Sequence, residues 1–410
     1  MCIALIDVDN FKDLNDSLGH QAGDQLLIEP PRGTDTAQGQ RQRGAASHDV
    51  LARFGGDEFA VVLDDVRTAK DASRVAKRLV DAMLEPFRID GQEIFISASI
   101  GVALSTPGST AEALLRDADT ALYRAKSAGR CRWEVFDGLM RDQVIERVKL
   151  EADLRHAVER GQFALLYQPI VSLADRTVKG FETLLRWDHP ERGRISPIDF
   201  IKVAEDTGLI VPMGLWVVDE VCRQIREWED TGVIAEHFTV SVNLSTRQLA
   251  QTDLVERIAG IAGQYGVKAQ RLEFEITESA MMAHPEIARR MVADLKGLGF
   301  RISLDDFGTG YSSLSYLQHF SVDRLKIDRS FLTDATTPDW ESHGIIAAVI
   351  ALARHLRADV VAEGIETSTQ LARVEALGCD FGQGYYFARP MRPKPVATLF
   401  EMALPPADVA

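Results

Sequence analysis

Two aspartates stand side by side in the stretch RISLDDFGTG, residues 301–310. Arg301, Ile302, Ser303 and Leu304 have strand character; Asp305 and Asp306 follow at once, then the turn residues Phe307, Gly308, Thr309 and Gly310. Successive side chains on a strand point to opposite faces, so two neighbouring acids converge only if the strand has ended. The glycines let the following loop come close to a ligand. Two acids at a strand end beside such a loop suit a divalent cation held through oxygens. A solvated acidic turn would have the same local sequence. The two readings separate on how many other acids occupy equivalent places.

The elements around this stretch supply them. Phe163–Leu173 and Val178–Trp187 read as strands joined by a few residues around Asp175–Thr177. A parallel crossover needs a dozen residues or more, so this pair must be antiparallel. Strands then alternate with helices: Thr239–Leu244, Leu272–Ile276, Arg301–Leu304, Arg324–Ile327, Asp359–Ala362 and Phe381–Phe387, with helices such as Val217–Trp228, Leu254–Tyr265, Ile287–Leu298, Gly344–Leu356 and Gln370–Leu377 between them. Eight strands with intervening helices predict an α/β fold, a TIM-like (β/α)8 barrel with an irregular first hairpin, and barrels of this kind carry their chemistry at the C-terminal strand ends. Glu182 lies in the second strand; Asn243, Glu275 with Glu278, Asp305 with Asp306, Lys326 with Asp328, Glu363 with Glu366, and Gln383 follow on the next six. Structural salt bridges account for one or two such positions, not for the series.

The candidate ligands are all oxygens, with no His or Cys among them, which favours Mg²⁺ or Mn²⁺ over zinc. One divalent ion leaves much carboxylate charge uncompensated. Two ions sharing Asp305 would balance it and would suit in-line attack on a phosphodiester. Lys326 adds a general base or an electrostatic partner. An ammonium among metal ions has reason to lose its proton more easily than a free one.

Bulk composition agrees. The chain has 410 residues, comfortable for two domains, and 46% apolar content, enough to bury real cores. A net charge of −15 argues against binding to nucleic-acid polymers or an anionic membrane. The four cysteines, Cys2, Cys131, Cys222 and Cys379, have no metal or disulfide spacing, and a reduced cytoplasmic setting is expected. No apolar run approaches the roughly 20 residues of a membrane span, and the opening MCIALIDVDNF lacks the basic leader of a signal peptide.

Three segments are expected: residues 1–136, a polar linker helix over 137–161, and the barrel over 162–404. In the first, Cys2–Val8 reads as a strand ending at Asp7 and Asp9, and Phe11–Leu18 as a short helix stopped by Gly19. Val50–Phe54 and Ala60–Leu63 flank the tight turn of Gly55–Phe59, a spacing that predicts a hairpin. Thr68–Leu84 is an amphipathic helix, Ile94–Ala103 a strand, and Ala111–Ala128 a helix ending at Gly129.

The motifs IDVDNFKDLNDSLGHQAGD, RFGGDEF, SASIGVA and DADTALYRAKSAGR resemble the GGDEF family, diguanylate cyclases that join two GTP molecules into cyclic di-GMP. The resemblance implies that Asp7 and Asp57, with Glu58 beside them, match metal ligands, Asn15 and Asp24 guanine contacts, and Lys126 and Arg130 triphosphate contacts. There are departures. The chain opens inside the first strand, where the family has a preceding helix. Residues 28–49 read IEPPRGTDTAQGQRQRGAASHD where the family has a helix. Pro inside a helix costs roughly 3 kcal/mol and each Gly about 1 kcal/mol, so no regular helix is expected there. The family's RxxD inhibitory motif would put Arg at position 46; Ala46 stands there, although Asp49 remains. A vestigial GGDEF domain, or a regulatory one that binds GTP, fits these departures better than an active cyclase.

The second half resembles the EAL family, phosphodiesterases that open cyclic di-GMP to linear pGpG, through YQPIVSL, FETLLRW, VNLS, EFEITES, LDDFGTGYSSL, LKIDRSF, VAEGIET and GQGYYFARP. By that resemblance Glu182, Asn243, Glu275 and Asp305 would hold one metal ion, and Asp305, Asp306 and Glu363 a second, with Asp328 nearby. Lys326 would activate water, with Glu363 beside it in the catalytic pair. Gln168, Leu184, Arg186, Gln383 and Pro390 would contact substrate. Glu278, Thr309 and Glu366 would steady the DFGTG loop, which the family also uses at a homodimer contact. The name motif here reads Glu182–Thr183–Leu184. Alternation puts Thr183 on the face opposite Glu182, so the ligand should survive the usual alanine's replacement, with slower or unchanged activity. The alternative is a non-catalytic receptor for the same nucleotide, which would require a missing ligand.

Overall fold

The computed structural model describes residues 1–28, 49–89, 92–234, 238–308, 320–333, 339–394 and 396. It divides into two compact units, Met1–Lys149 and Leu150–Ala410.

The first unit is built on a five-stranded sheet. Strand β1 (Cys2–Val8) pairs antiparallel with β3 (Glu58–Leu63) and β6 (Ala98–Leu104). Strand β2 (Val50–Gly55) forms the expected hairpin with β3, and β7 (Trp133–Val135) closes the other edge. The helix Ala69–Met83 starts where Thr68 accepts a hydrogen bond from the Asp71 N–H, and buries Ala72, Ala76 and Val80 at helical spacing against β1 and β6. Two expectations change. Ile94–Ala103 is not one strand: β5 (Gln92–Ile94) pairs back on β4 (Phe87–Ile89) before β6 begins at Ala98. A second helix, His20–Ile28, follows Phe11–Leu18 directly. The irregular stretch read over 28–49 lies almost wholly outside the described residues.

The helix Gly138–Ala157 is shared out between the units and ends four residues before Gly161. In the first unit Arg141 pairs with Asp117 and Arg147 lies over the Tyr123 ring. In the second, Leu154 and Ala157 join the cluster of Phe163, Trp187 and Phe200.

The second unit is the expected barrel. Strands β8 (Phe163–Ser172) and β9 (Val178–His189) are antiparallel, with Gln168 opposite Glu182. A short β10 (Gly193–Ile195), not foreseen, folds back on β9. Strands β11 (Thr239–Leu244), β12 (Leu272–Thr277), β13 (Arg301–Phe307), β14 (Arg324–Ile327), β15 (Asp359–Ala362) and β16 (Phe381–Gly382) run in parallel, and β16 closes the barrel against β8. Strand β16 stops at Gly382, short of the expected Phe387, because the chain turns at Gln383 and Gly384 to pack on Ile365.

Alternation sorts the barrel residues. Val240, Val242 and Leu244, then Leu272, Phe274 and Ile276, then Ile302 and Leu304, then Leu325 and Ile327 are buried in the main apolar cluster. The intervening residues are polar and point the other way, into the barrel. They form two tiers two residues apart: Ser241, Glu273, Ser303 and Arg324 below; Asn243, Glu275, Asp305 and Lys326 above. In the lower tier the Arg324 guanidinium is 2.8 Å from Glu273, itself fully buried, and stacks over Phe381 at 4.9 Å. Removing one partner of such a pair strands a charge in the interior, at a cost of about 3–5 kcal/mol. The lower tier thus forms a closed floor beneath the upper.

Candidate active site

The upper tier is the site. Lys326, 1% exposed, lies 2.6 Å from Glu363, 2.8 Å from Glu275 and 3.5 Å from both Glu182 and Asp305. Asn243 donates to Glu182 at 3.2 Å; Gln383 donates to Glu182 at 2.5 Å and to Gln168 at 3.2 Å. The structure therefore brings together Glu182, Asn243, Glu275, Asp305, Lys326, Glu363, Gln168 and Gln383, from eight strands or strand ends.

The neighbouring acids converge by a different route from the one expected. Strand β13 does not end at Leu304 but runs to Phe307, with a register shift against β14 between those residues. Asp306 takes a left-handed φ of 53°, its N–H donating to Asp305 Oδ1 at 2.9 Å. A bulge, which adds a residue and re-aims its side chain, lets two consecutive carboxylates face one place without breaking the strand. Oxygens of Asp305, Asp306 and Glu363 lie within 4.8 Å of one another.

Charge crowding follows from this geometry. Burial, then the carboxylates of Glu182 and Asp305, push the Glu275 carboxyl well above its ordinary range, against the opposing pull of Lys326. Glu363 is raised by the same causes. Asp306 is raised by burial, then by Asp305 and Asp328. Burial alone would lower the Lys326 pKa, but Asp305, Glu182, Glu275 and Glu363 outweigh it and hold the ammonium charged. That holds for the site's own residues; the expectation of an easily lost proton concerns the same lysine among metal ions. One ammonium stands among five carboxylates, and Oε1 of Glu275 is buried without a partner. An all-oxygen donor set with surplus negative charge fits hard divalent cations.

Leu184 and Arg186 lie along the rim of this tier. With Asn243, Thr277, Glu205 and Thr183 they line a cavity of about 340 Å³. The Arg186 guanidinium, half-buried, is lowered by burial and by Arg194, while Tyr385 and Glu182 act the other way. Glu278 is buried and accepts from the Gly308 N–H at 3.0 Å. Thr309 lies outside the described residues. Glu366 is exposed, and its N–H donates to Gln370 at 2.8 Å; no described contact ties its carboxylate to that loop. Pro390 is half-buried beside the backbone pair of Tyr167 and Met391.

Thr183 points away from Glu182, as alternation requires, and is 4% exposed with its hydroxyl lacking a hydrogen-bond partner. An unsatisfied buried hydroxyl costs about 1–3 kcal/mol. Thr183→Val keeps the shape and removes that oxygen, so it is expected to raise unfolding free energy by about 1 kcal/mol in urea titrations. A loss of similar size would show that the hydroxyl is satisfied.

In the first unit, Asp7, buried, pairs with Lys126 at 2.6 Å, and its carboxyl is raised by burial, with Lys126 opposing and Asp57 and Glu58 adding. Asp57 and Glu58 occupy the hairpin turn beside it. Asn15 has a buried Oδ1 without a partner, close enough to Gly23 that a Cβ there would sit 2.0 Å from it. Asp24 and Arg130 are exposed, Arg130 at a left-handed φ of 59°.

Sequence reasoning missed three residues. Asp9 is buried and accepts from Ser97 and Ser99 at 2.7 Å and from the Cys131 N–H at 3.0 Å. Glu273 and Arg324 form the floor. Their signal was present, since each precedes an upper-tier residue of like charge by two positions.

Fold and site together define a (β/α) barrel whose C-terminal rim gathers carboxylates around a buried lysine. Residues 151–390 match the EAL domain family, and residues 1–132 match the GGDEF domain of diguanylate cyclases. The chain belongs to the EAL family and carries a GGDEF domain ahead of the barrel. It is 40% identical to the bifunctional diguanylate cyclase/cyclic di-GMP phosphodiesterase MucR of Pseudomonas aeruginosa, over 95% of this chain and 55% of that protein. It is 39% identical to the cyclic di-GMP phosphodiesterase PdeR of Escherichia coli, over 95% of this chain and 57% of that one. The chain thus spans little more than half the length of these relatives. Among solved structures, the MucR phosphodiesterase in complex with cyclic di-GMP is 41% identical, with a TM-score of 0.57, covering 60% of this chain and 98% of that one. Among the described residues no helix is long and apolar enough to cross a membrane.

Proposed function

We propose that the barrel unit hydrolyses cyclic di-GMP to linear pGpG with two Mg²⁺ or Mn²⁺ ions. The observation that carries this reading is the convergence of Glu182, Asn243, Glu275, Asp305, Asp306 and Glu363 on one rim. Glu182, Asn243, Glu275 and Asp305 would hold one ion; Asp305, Asp306 and Glu363, with Asp328 nearby, the other. When bound, such ions neutralise the carboxylates, polarise the phosphodiester and lower the pKa of water.

The chain's own residues do the rest. Gln383 and Asn243 fix the Glu182 carboxylate from two sides. Lys326 Nζ is held against Glu275 and Glu363. Cations held there would take up the carboxylate charge that keeps Lys326 protonated, and Nζ, with Glu363 Oε1 as its neighbour, would then be able to accept a proton from water. Arg186 and Leu184 border the cavity that a base of the substrate would enter. The GGDEF unit is read as inactive in synthesis, with GTP at most a regulatory ligand around Asp7, Asn15, Asp24, Asp57, Lys126 and Arg130. A homodimer through the barrel completes the reading.

The test is to incubate the purified chain with cyclic di-GMP and Mg²⁺ or Mn²⁺ and separate the products. Linear pGpG, abolished by EDTA, is expected. Nucleotide that binds in EDTA and stays intact after metal is added would make the protein a receptor.

A further inference from the structure

The segment that follows β16 is held to the site at several points. Gln383 reaches Glu182; the N–H groups of Phe387 and Ala388 turn back to the Gly384 carbonyl at 3.1 and 3.2 Å. The Ala388 carbonyl accepts from Gln168 at 3.4 Å, and Met391 exchanges backbone hydrogen bonds with Tyr167 at 2.8 and 3.0 Å. From this pinned turn two side chains stay exposed, four residues apart: Tyr385, at 51%, and Arg389. The Arg389 guanidinium lies over the Tyr385 ring, 4.4 Å from its centroid.

Arg389 differs from its neighbours in what it does with its charge. Arg194 and Arg392 are both held by Asp188, at 2.8 and 2.9 Å. Arg389, three residues from Arg392, forms no ion pair with a described residue in a chain of net charge −15. The ring covers the guanidinium from one side and leaves its N–H donors without a described partner. Such a planar fork matches the O6/N7 edge of guanine. It also matches two phosphate oxygens. The exposed aromatic beneath it favours the base: a flat platform aligns a flat ligand, whereas a tetrahedral phosphate gains nothing from it.

Resting on the cyclic di-GMP reading above, we propose that Arg389, held flat by Tyr385, reads the O6/N7 edge of the guanine in the half of the substrate away from the metal tier. It is a specificity-determining residue rather than a catalytic one.

Equilibrium dialysis of the full chain in EDTA, against cyclic di-GMP and separately against cyclic di-AMP, tests this without turnover. Arg389→Ala is expected to weaken cyclic di-GMP binding about 10-fold, the size of one bidentate contact, and cyclic di-AMP binding by less than about 3-fold. Tyr385→Ala should follow Arg389→Ala, Tyr385→Phe should retain binding, and Arg389→Lys should not restore it. Both positions are exposed, and unchanged circular dichroism spectra would show that the variants fold. Equal weakening of both nucleotides assigns the guanidinium to a phosphate and overturns base reading. Unchanged binding in Arg389→Ala, or no binding by the unaltered chain, overturns the proposal altogether. A chain that binds with this selectivity but releases no pGpG in Mg²⁺ would sink the phosphodiesterase reading and leave this one standing.

Discussion

Asp305→Ala is expected to lower cyclic di-GMP turnover by about 10³-fold or more, measured as pGpG released under saturating Mn²⁺. Asp305 is the carboxylate that belongs to both halves of the site. It lies 3.5 Å from Lys326 on one side, and its oxygen joins those of Asp306 and Glu363 on the other. Losing it removes several kcal/mol of charge stabilisation, each 1.4 kcal/mol or so being tenfold in rate. The fold should persist, because the floor of Glu273 and Arg324 and the apolar face of β13 are untouched. Activity within tenfold of the unaltered chain would remove Asp305 from the centre of the account.

The second large effect concerns Lys326. Lys326→Ala is expected to reduce turnover by about 10²–10⁴-fold, the range for loss of a general base. It should also change how stability responds to metal. In the unaltered chain the ammonium offsets the charge of Glu182, Glu275, Asp305 and Glu363. Without it those acids are buried and uncompensated, a loss of about 3–5 kcal/mol in the metal-free protein. A ligand that binds only the folded state restores stability in proportion to its affinity. Thermal melting should therefore show Lys326→Ala less stable than the unaltered chain in EDTA, and gaining more on addition of Mn²⁺. Equal gains in both would show that lysine and metal do not share the same carboxylates.

How far the site could be read from the sequence depends on the kind of signal. The antiparallel first pair followed from chain length alone, because five residues cannot cross over between parallel strands. Glu182 was legible from its place in the second strand, and Asn243, Glu275 and Lys326 because they sit near strand ends in a regular alternation. The meeting of Asp305 and Asp306 was foreseen but its cause was not. A bulge depends on one residue's φ, and Asp is among the few types that tolerate the left-handed region, yet nothing in LDDF distinguishes a bulged strand from an ended one. Strand β16 was overextended for a related reason. Phe381–Phe387 is rich in aromatics, but Gly384 takes a φ of 157° where its backbone approaches Ile365 too closely for a side chain.

Manganese content after equilibrium dialysis, compared between the unaltered chain and Asp305→Ala, tests the central claim most directly. If one rim holds a pair of cations that share Asp305, the variant should retain two fewer ions per chain, whatever the GGDEF unit binds in both. The same manganese count in the two proteins would contradict it.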